Sequence, residues 1–146
     1  MEPRRKRILV VEDDDGIREA LEFYLSETYD ITPAANGVQA LDLLAEQHFD
    51  VVLLDMAMPV LDGAGVLTEL AARGDDVPVL VASAGQHVQT ATRLGARGCI
   101  SKPFNLAILD KKLVELSSGP TERADGSGSN IALLAPRSES PARLAG

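Results

Sequence analysis

Five side chains in this sequence could do chemistry together: the carboxylates of Glu12, Asp13 and Asp55, the hydroxyl of Ser83 and the ammonium of Lys102. Each stands where a short apolar run ends. Ile8 to Val11 runs into the acids Glu12 to Asp15, Val51 to Leu54 into Asp55, Val77 to Ala82 into Ser83, and Cys99-Ile100 towards Lys102. Clustered carboxylates repel one another and favour their protonated forms unless a cation sits among them. An incomplete set of oxygen ligands suits Mg²⁺, which keeps several waters and accepts phosphate oxygens as further ligands. A carboxylate is also a competent nucleophile towards phosphorus, giving an aspartyl phosphate. Metal and lysine would offset charge on the transferring group, and a hydroxyl would contact one phosphoryl oxygen. Asp55 lies in mid-cluster and is the expected acceptor.

Such a cluster needs elements that deliver all five groups to one place. Val51 to Leu54 is apolar without alternation, the pattern of a strand buried on both faces in a parallel sheet covered by helices. Asp55 is then at that strand's C-terminal edge, where open α/β sheets hold their ligands. Asp50, at the other end, is roughly 17 Å away at about 3.3 Å per residue and belongs to the wrong edge. The same reading places strands at Ile8 to Val11, Tyr29 to Pro33 (weak), Asp50 to Asp55, Val77 to Ala82 and Cys99-Ile100. Helical periodicity follows each: Ile17, Ala20, Leu21, Tyr24 and Leu25 face inward, with Arg18, Glu19 and Glu22 outward. Val38, Leu41, Leu44 and Ala45 mark a second helix, and Val66, Leu67 and Leu70 a third that stops at Gly74. A short helix reaches Leu94, and a last one, opened by Lys102-Pro103-Phe104, turns Leu106, Leu109, Leu113 and Leu116 inward. Five strands alternating with five helices predict an α/β fold with a doubly wound, five-stranded parallel sheet and right-handed crossovers.

Composition narrows the function classes. A chain of 146 residues at 45% hydrophobic supports one domain with a proper core and leaves no room for two. A net charge of −8 argues against direct DNA binding or an anionic membrane surface. Residues 1–6 read as a basic lead-in, and the cluster from Arg4 to Arg7 as a solvated approach to the first strand. The lone cysteine, Cys99, excludes an internal disulfide or a multi-cysteine metal site. No apolar run is long enough for a signal sequence or a membrane span, so the expected location is cytoplasmic. From Ser117 the composition turns to Gly, Ser, Pro and mixed charge, and residues 117–146 read as a disordered tail beyond a domain at 7–116.

Four motifs in order, Ile8-Leu9-Val10-Val11-Glu12-Asp13-Asp14, Asp55-Met56-Ala57-Met58-Pro59-Val60-Leu61-Asp62-Gly63, Ala82-Ser83-Ala84 and Lys102-Pro103-Phe104, resemble those of the receiver domains of two-component response regulators. The resemblance covers residues 7–116. It implies a flavodoxin-like (βα)5 sheet in the order 2-1-3-4-5 and Asp55 as phosphoacceptor from a sensor histidine kinase or phosphotransfer protein. It further implies Mg²⁺ held by Glu12, Asp13, Asp55 and the Ala57 carbonyl, Ser83 as the phosphoryl-sensing hydroxyl, Lys102 as phosphoryl partner and a cis Lys102-Pro103 bond. The chain resembles a stand-alone receiver, an assistant to its own phosphorylation and dephosphorylation rather than an enzyme on other substrates, with output through contacts to a downstream protein.

Two departures stand out. Three residues before the lysine, where relatives carry an aromatic switch residue, the sequence has Cys99. The Ser83 to Leu94 segment is also shorter than in many relatives by about three residues, close to one helical turn. Switching is therefore expected to involve Ser83 and this segment more than a rotamer at Cys99. Other readings exist. An aspartyl-nucleophile phosphatase of the haloacid-dehalogenase type needs a second Asp two residues after the first, where Ala57 stands. A flavodoxin-like cofactor binder would need a phosphate loop, not the acids Glu12 to Asp15. A phosphorylation-independent scaffold on the receiver fold is the remaining alternative.

Overall fold

The computed structural model describes residues 4–118. Five strands, β1 (Arg7–Val11), β2 (Asp30–Ala34), β3 (Val51–Asp55), β4 (Val79–Ser83) and β5 (Gly98–Ser101), alternate with five helices. These are α1 (Asp15–Leu25), α2 (Gly37–Glu46), α3 (Gly63–Arg73), α4 (Val88–Arg93) and α5 (Leu106–Ser118). The sheet is parallel throughout, in the order 2-1-3-4-5, as expected.

Successive residues of a strand face opposite sides, and the core divides accordingly. Leu9, Val11, Val52, Leu54, Val79 and Val81 pack against α2, α3 and α4 with Val66, Leu67, Leu70 and Ala91. Ile8, Val10, Val51, Leu53, Leu80 and Ile100 pack against α1 and α5 with Leu21, Leu25, Leu109 and Leu113. Both faces of β3 and β4 are therefore sealed, which is why their sequences carry no alternation.

Several boundaries differ from the sequence reading for identifiable reasons. β4 starts at Val79 because Pro78 lacks the N–H that would extend the ladder, although its carbonyl still accepts from Val52. Asp50 is left out of β3, its carboxylate accepting from the Arg7 N–H at 2.8 Å. Pro33, in contrast, sits inside β2. Asp30 N–H points to β1, so by alternation the N–H missing at Pro33 would face outward from this edge strand. The last helix begins at Leu106 rather than at Lys102-Pro103-Phe104, because Asn105 caps the Ile108 N–H at 3.1 Å. It continues through Ser117 and Ser118, two residues into the segment assigned to the tail; the rest of that segment, 119–146, lies outside the described residues.

The inward helix faces are narrower than periodicity suggested. On α1 only Leu21 and Leu25 are buried, with Ile17, Ala20 and Tyr24 exposed. On α2 the buried positions are Gly37, Ala40 and Leu41, whereas Val38 and Ala45 are exposed, and on α5 Leu106 is outside the core. The basic lead-in is also more engaged than a solvated approach. Arg5 donates to the Ser26 and Thr28 carbonyls, Arg4 pairs with Asp50 at 3.8 Å, and Arg7 lies 5.1 Å over the Phe49 ring.

Asp50 ties this lead-in to the sheet, and its carboxyl is held below the usual carboxylate range. Burial would raise it, but the Arg7 N–H, the His48 ring and the Arg4 guanidinium together outweigh that effect. A depressed folded value means stability that is present above the unfolded carboxylate value and lost as pH falls through the folded one. Asp50→Ala is expected to lose about 1 to 3 kcal/mol in urea unfolding at neutral pH. The difference from wild type should vanish in acid, and a pH-independent difference would refute the charge-based account.

Candidate functional site

The C-terminal edge of the sheet gathers the predicted groups. Val10 and Glu12, Leu53 and Asp55, and Ile100 and Lys102 each share strand parity, so Glu12, Asp55 and Lys102 all emerge on the side facing α1 and α5. Lys102 Nζ lies 3.2 Å from Asp55 Oδ1 and 3.4 Å from Glu12 Oε1. Carboxylate oxygens of Glu12, Asp13 and Asp55 all fall within 4.8 Å of one another. Glu12 and Asp55 are only 3% and 4% exposed, while Asp13 faces solvent. That combination, two buried acids and one at the mouth, fits a hard divalent cation entering from solvent and keeping part of its water.

The electrostatics agree. Burial pushes the Glu12 carboxyl above its ordinary value; the Asp14 N–H lowers it, the Asp55 charge raises it further, and Lys102 offsets only part. Burial would likewise lower the Lys102 ammonium, yet Asp55 and Glu12 outweigh it and hold Lys102 above its ordinary range. One ammonium thus faces two buried acids, and the cluster is short of positive charge.

The loop after Asp55 is folded back tightly. Ala57 N–H reaches Asp55 Oδ1 at 3.2 Å, and Gly63 N–H donates to the Met56 carbonyl at 3.1 Å. A Cβ on Gly63 would come within 2.7 Å of Met56 Cα, so only glycine permits this closure beside the end of β3. Asp62 caps α3 by accepting the Gly65 N–H at 2.9 Å, and Asp14 caps α1 by accepting the Ile17 N–H at 2.9 Å. Asp62 and Asp14 therefore fix the turns that lead from the sheet edge into α3 and α1.

Ser83 and Cys99 stand apart from this cluster. Ser83 shares strand parity with Val81, and Cys99 pairs with Val81 across β4 and β5, so both belong to the α2–α4 side. Ser83 is buried and its Oγ accepts the Gly85 N–H at 3.1 Å; Cys99 is half-buried against the core. Ser83 is nonetheless one residue past Ala82, the register partner of Asp55, and its carbonyl accepts the Lys102 N–H at 3.0 Å. The Lys102-Pro103 bond is cis. α4, the helix after Ser83, has six residues and no side-chain N-cap, which makes it the least anchored of the five. A cavity of about 410 Å³ opens at the opposite edge, lined by His48, Asp50, Asp75 and Asp76 among others, and none of the predicted site residues reaches it.

The sequence matches the response regulator receiver domain family over residues 8–114. The chain belongs to that family. This receiver domain is 44% identical over 104 residues to the response regulator MprA of Mycobacterium sp. strain KMS, covering 68% of this chain and 45% of the relative. It is 40% identical over 131 residues to MprA of Mycolicibacterium vanbaalenii, covering 87% and 56%. The chain thus spans about half the length of the curated relatives it matches. Among solved structures, the receiver domain of the Francisella response regulator 1452 aligns with a TM-score of 0.74 at 28% identity, over 78% of this chain and 98% of that one. The response regulator TrrA of Thermotoga maritima, in complex with Mg²⁺ and BeF, aligns at 0.69 with 34% identity, over 76% and 98%.

Sequence reasoning missed Arg18, which it placed on the solvent face of α1. Its side chain is only 17% exposed and reaches back over the acidic loop. A signal was present: a cation in the first turns of a helix opposes the macrodipole, and such a residue needs a nearby acceptor to justify its place. Among the described residues no helix is long and apolar enough to cross a membrane.

Proposed function

We propose that this receiver domain accepts one phosphoryl group on Asp55 from a phosphohistidine donor, a sensor histidine kinase or a phosphotransfer protein, and passes the change of state to a protein partner. The observation that carries the reading is the charge imbalance at the sheet edge, where, among the described residues, Lys102 is the one cation that pairs with buried Glu12 and Asp55. Glu12, Asp13 and Asp55 would hold Mg²⁺ through carboxylate oxygens, with the Ala57 carbonyl as a further ligand. Bound there, the ion supplies Lewis-acid stabilisation of charge on the phosphoryl oxygens. Asp55 Oδ attacks phosphorus in line with the departing imidazole nitrogen, which keeps the bonding electrons and takes up a proton. Lys102 stays an ammonium through the neutral range and neutralises one phosphoryl oxygen. Ser83 offers its hydroxyl to another oxygen by exchanging the Gly85 contact, and α4 with Cys99 packs on the same side of the sheet to register that movement.

The chemistry belongs to the domain at 7–116, and output passes through whatever that domain contacts. Incubation of the full chain with a small acyl phosphate and Mg²⁺ should add a single phosphoryl group by intact mass, and a chelator should abolish the addition. Labelling that survives chelation would overturn the metal assignment, and no labelling even with Mg²⁺ present would favour the scaffold reading.

A further inference from the structure

Arg18 makes two contacts that no role above uses. One guanidinium nitrogen donates to the main-chain carbonyl of Glu12 at 2.9 Å, and the other meets Asp15 Oδ1 at 2.5 Å. The first contact is the informative one. The Glu12 N–H is already bound to the Ala34 carbonyl at 3.1 Å, so Arg18 completes a clamp on both main-chain groups of that residue. The carbonyl it holds belongs to the Glu12–Asp13 peptide plane, and the orientation of that plane decides where the Asp13 side chain leaves the chain. Glu12 has additional anchors, from Asp14 N–H at 3.1 Å and from Lys102. Asp13 is exposed, and its carboxylate takes part in none of the hydrogen bonds or ion pairs among the described residues. Its position rests on the main chain beneath it.

We propose that Arg18 is a positioning residue for metal binding: it fixes the Glu12–Asp13 peptide so that Asp13 is held where a divalent cation between Glu12 and Asp55 can use it. The inference rests on the proposed function above. It makes a prediction opposite in sign to simple electrostatics. A cation beside an acidic cluster repels Mg²⁺, so its removal should tighten binding if charge were all that mattered. Loss of an outer partner that orients a ligand weakens metal affinity by roughly 10- to 100-fold. Arg and Lys are not equivalent here, because only the guanidinium fork reaches the Glu12 carbonyl and Asp15 at once.

The test is Mg²⁺ titration of the full chain, followed by amide shifts, for wild type, Arg18→Met and Arg18→Lys, with thermal midpoints recorded to establish folding. Both variants are expected to bind Mg²⁺ at least about ten-fold more weakly. In metal-free protein, hydrogen exchange at the Asp13 and Asp14 amides should quicken, while β3 and β4 amides stay unchanged. Arg18→Met binding as tightly as wild type or more tightly, or Arg18→Lys matching wild type, would overturn the positioning role and leave the proposed function standing. Wild type failing to bind Mg²⁺ at all would overturn both.

Discussion

Asp55→Asn is expected to take up no phosphoryl group from an acyl phosphate or from a phosphohistidine donor, a complete loss rather than a slowing. The amide has no anionic oxygen to attack phosphorus, and no neighbouring acid can stand in for it. Glu12 is buried, hydrogen-bonded to the Asp14 N–H and paired with Lys102, so its oxygens are committed. Asp13 is at the solvent mouth, on the other strand end. The variant should nevertheless fold, because asparagine occupies nearly the same volume and can still accept the Ala57 N–H that reaches Asp55 Oδ1 at 3.2 Å. Removing one of two buried like charges should even relieve strain, so the unfolding midpoint is expected to hold or rise. Intact mass and peptide mapping read the first outcome and urea unfolding the second. Labelling of the Asn variant would mean that another acid is the acceptor, and a label on the peptide that carries Glu12 and Asp13 would place it elsewhere in the acid cluster.

The second large effect belongs to Lys102. Lys102→Met removes the cation that both buried acids face and leaves Glu12 and Asp55 to repel each other in a poorly solvated site. A fully buried pair that loses one partner costs about 3 to 5 kcal/mol; a quarter of the Lys102 side chain remains in water, so roughly 1 to 3 kcal/mol is expected at neutral pH. The sign is fixed by the raised ammonium value: the stabilisation is present below the ordinary lysine value and disappears only as pH rises through the higher folded one. Two agents should restore what the lysine supplied. Mg²⁺ should stabilise Lys102→Met more than it stabilises wild type, and should bind it more tightly. Acidification should also narrow the gap, since the Glu12 carboxyl is already pushed up and a proton can take the place of the ammonium. Denaturant midpoints with and without Mg²⁺, at neutral and mildly acid pH, check all three. A variant as stable as wild type in chelator would show that the acids are not short of positive charge.

The parts of this fold that were legible in the sequence are those set by burial on both sides. Val51 to Leu54 has no polar position, and only a central parallel strand tolerates that, so β3 and the place of Asp55 at its edge followed directly. The αL glycine at Gly74, with φ of 69°, announced the end of α3 for reasons local to a few residues. Helix faces were less legible, because three apolar positions per two turns can be satisfied by a stripe that is only partly covered. Ile17, Val38 and Leu106 are apolar and exposed, and nothing in periodicity separates them from Leu21, Leu41 and Leu109. Arg18 was less legible for a different reason: a cation in the first turns of a helix signals that an acceptor is near, but its partner is a carbonyl, which every residue has, so no residue type could mark which one. Ser83 was placed at the end of β4, yet its hydrogen bond to Gly85 depends on a loop geometry that a strand-end assignment does not contain.

The division of the sheet edge bears on how such a domain can change over time. Glu12, Asp55 and Lys102 project towards α1 and α5, whereas Cys99 projects towards α2, α3 and α4, with the thickness of the sheet between them. Residues that share no neighbours contribute independently, so replacements on one side leave the other side's energetics nearly intact. A ring at position 99 could be lost to a thiol without cost to the acids and ammonium that meet behind it. The acids and ammonium on one side and the surface around Cys99 and α4 on the other can in this sense be altered separately, each without rebuilding its counterpart.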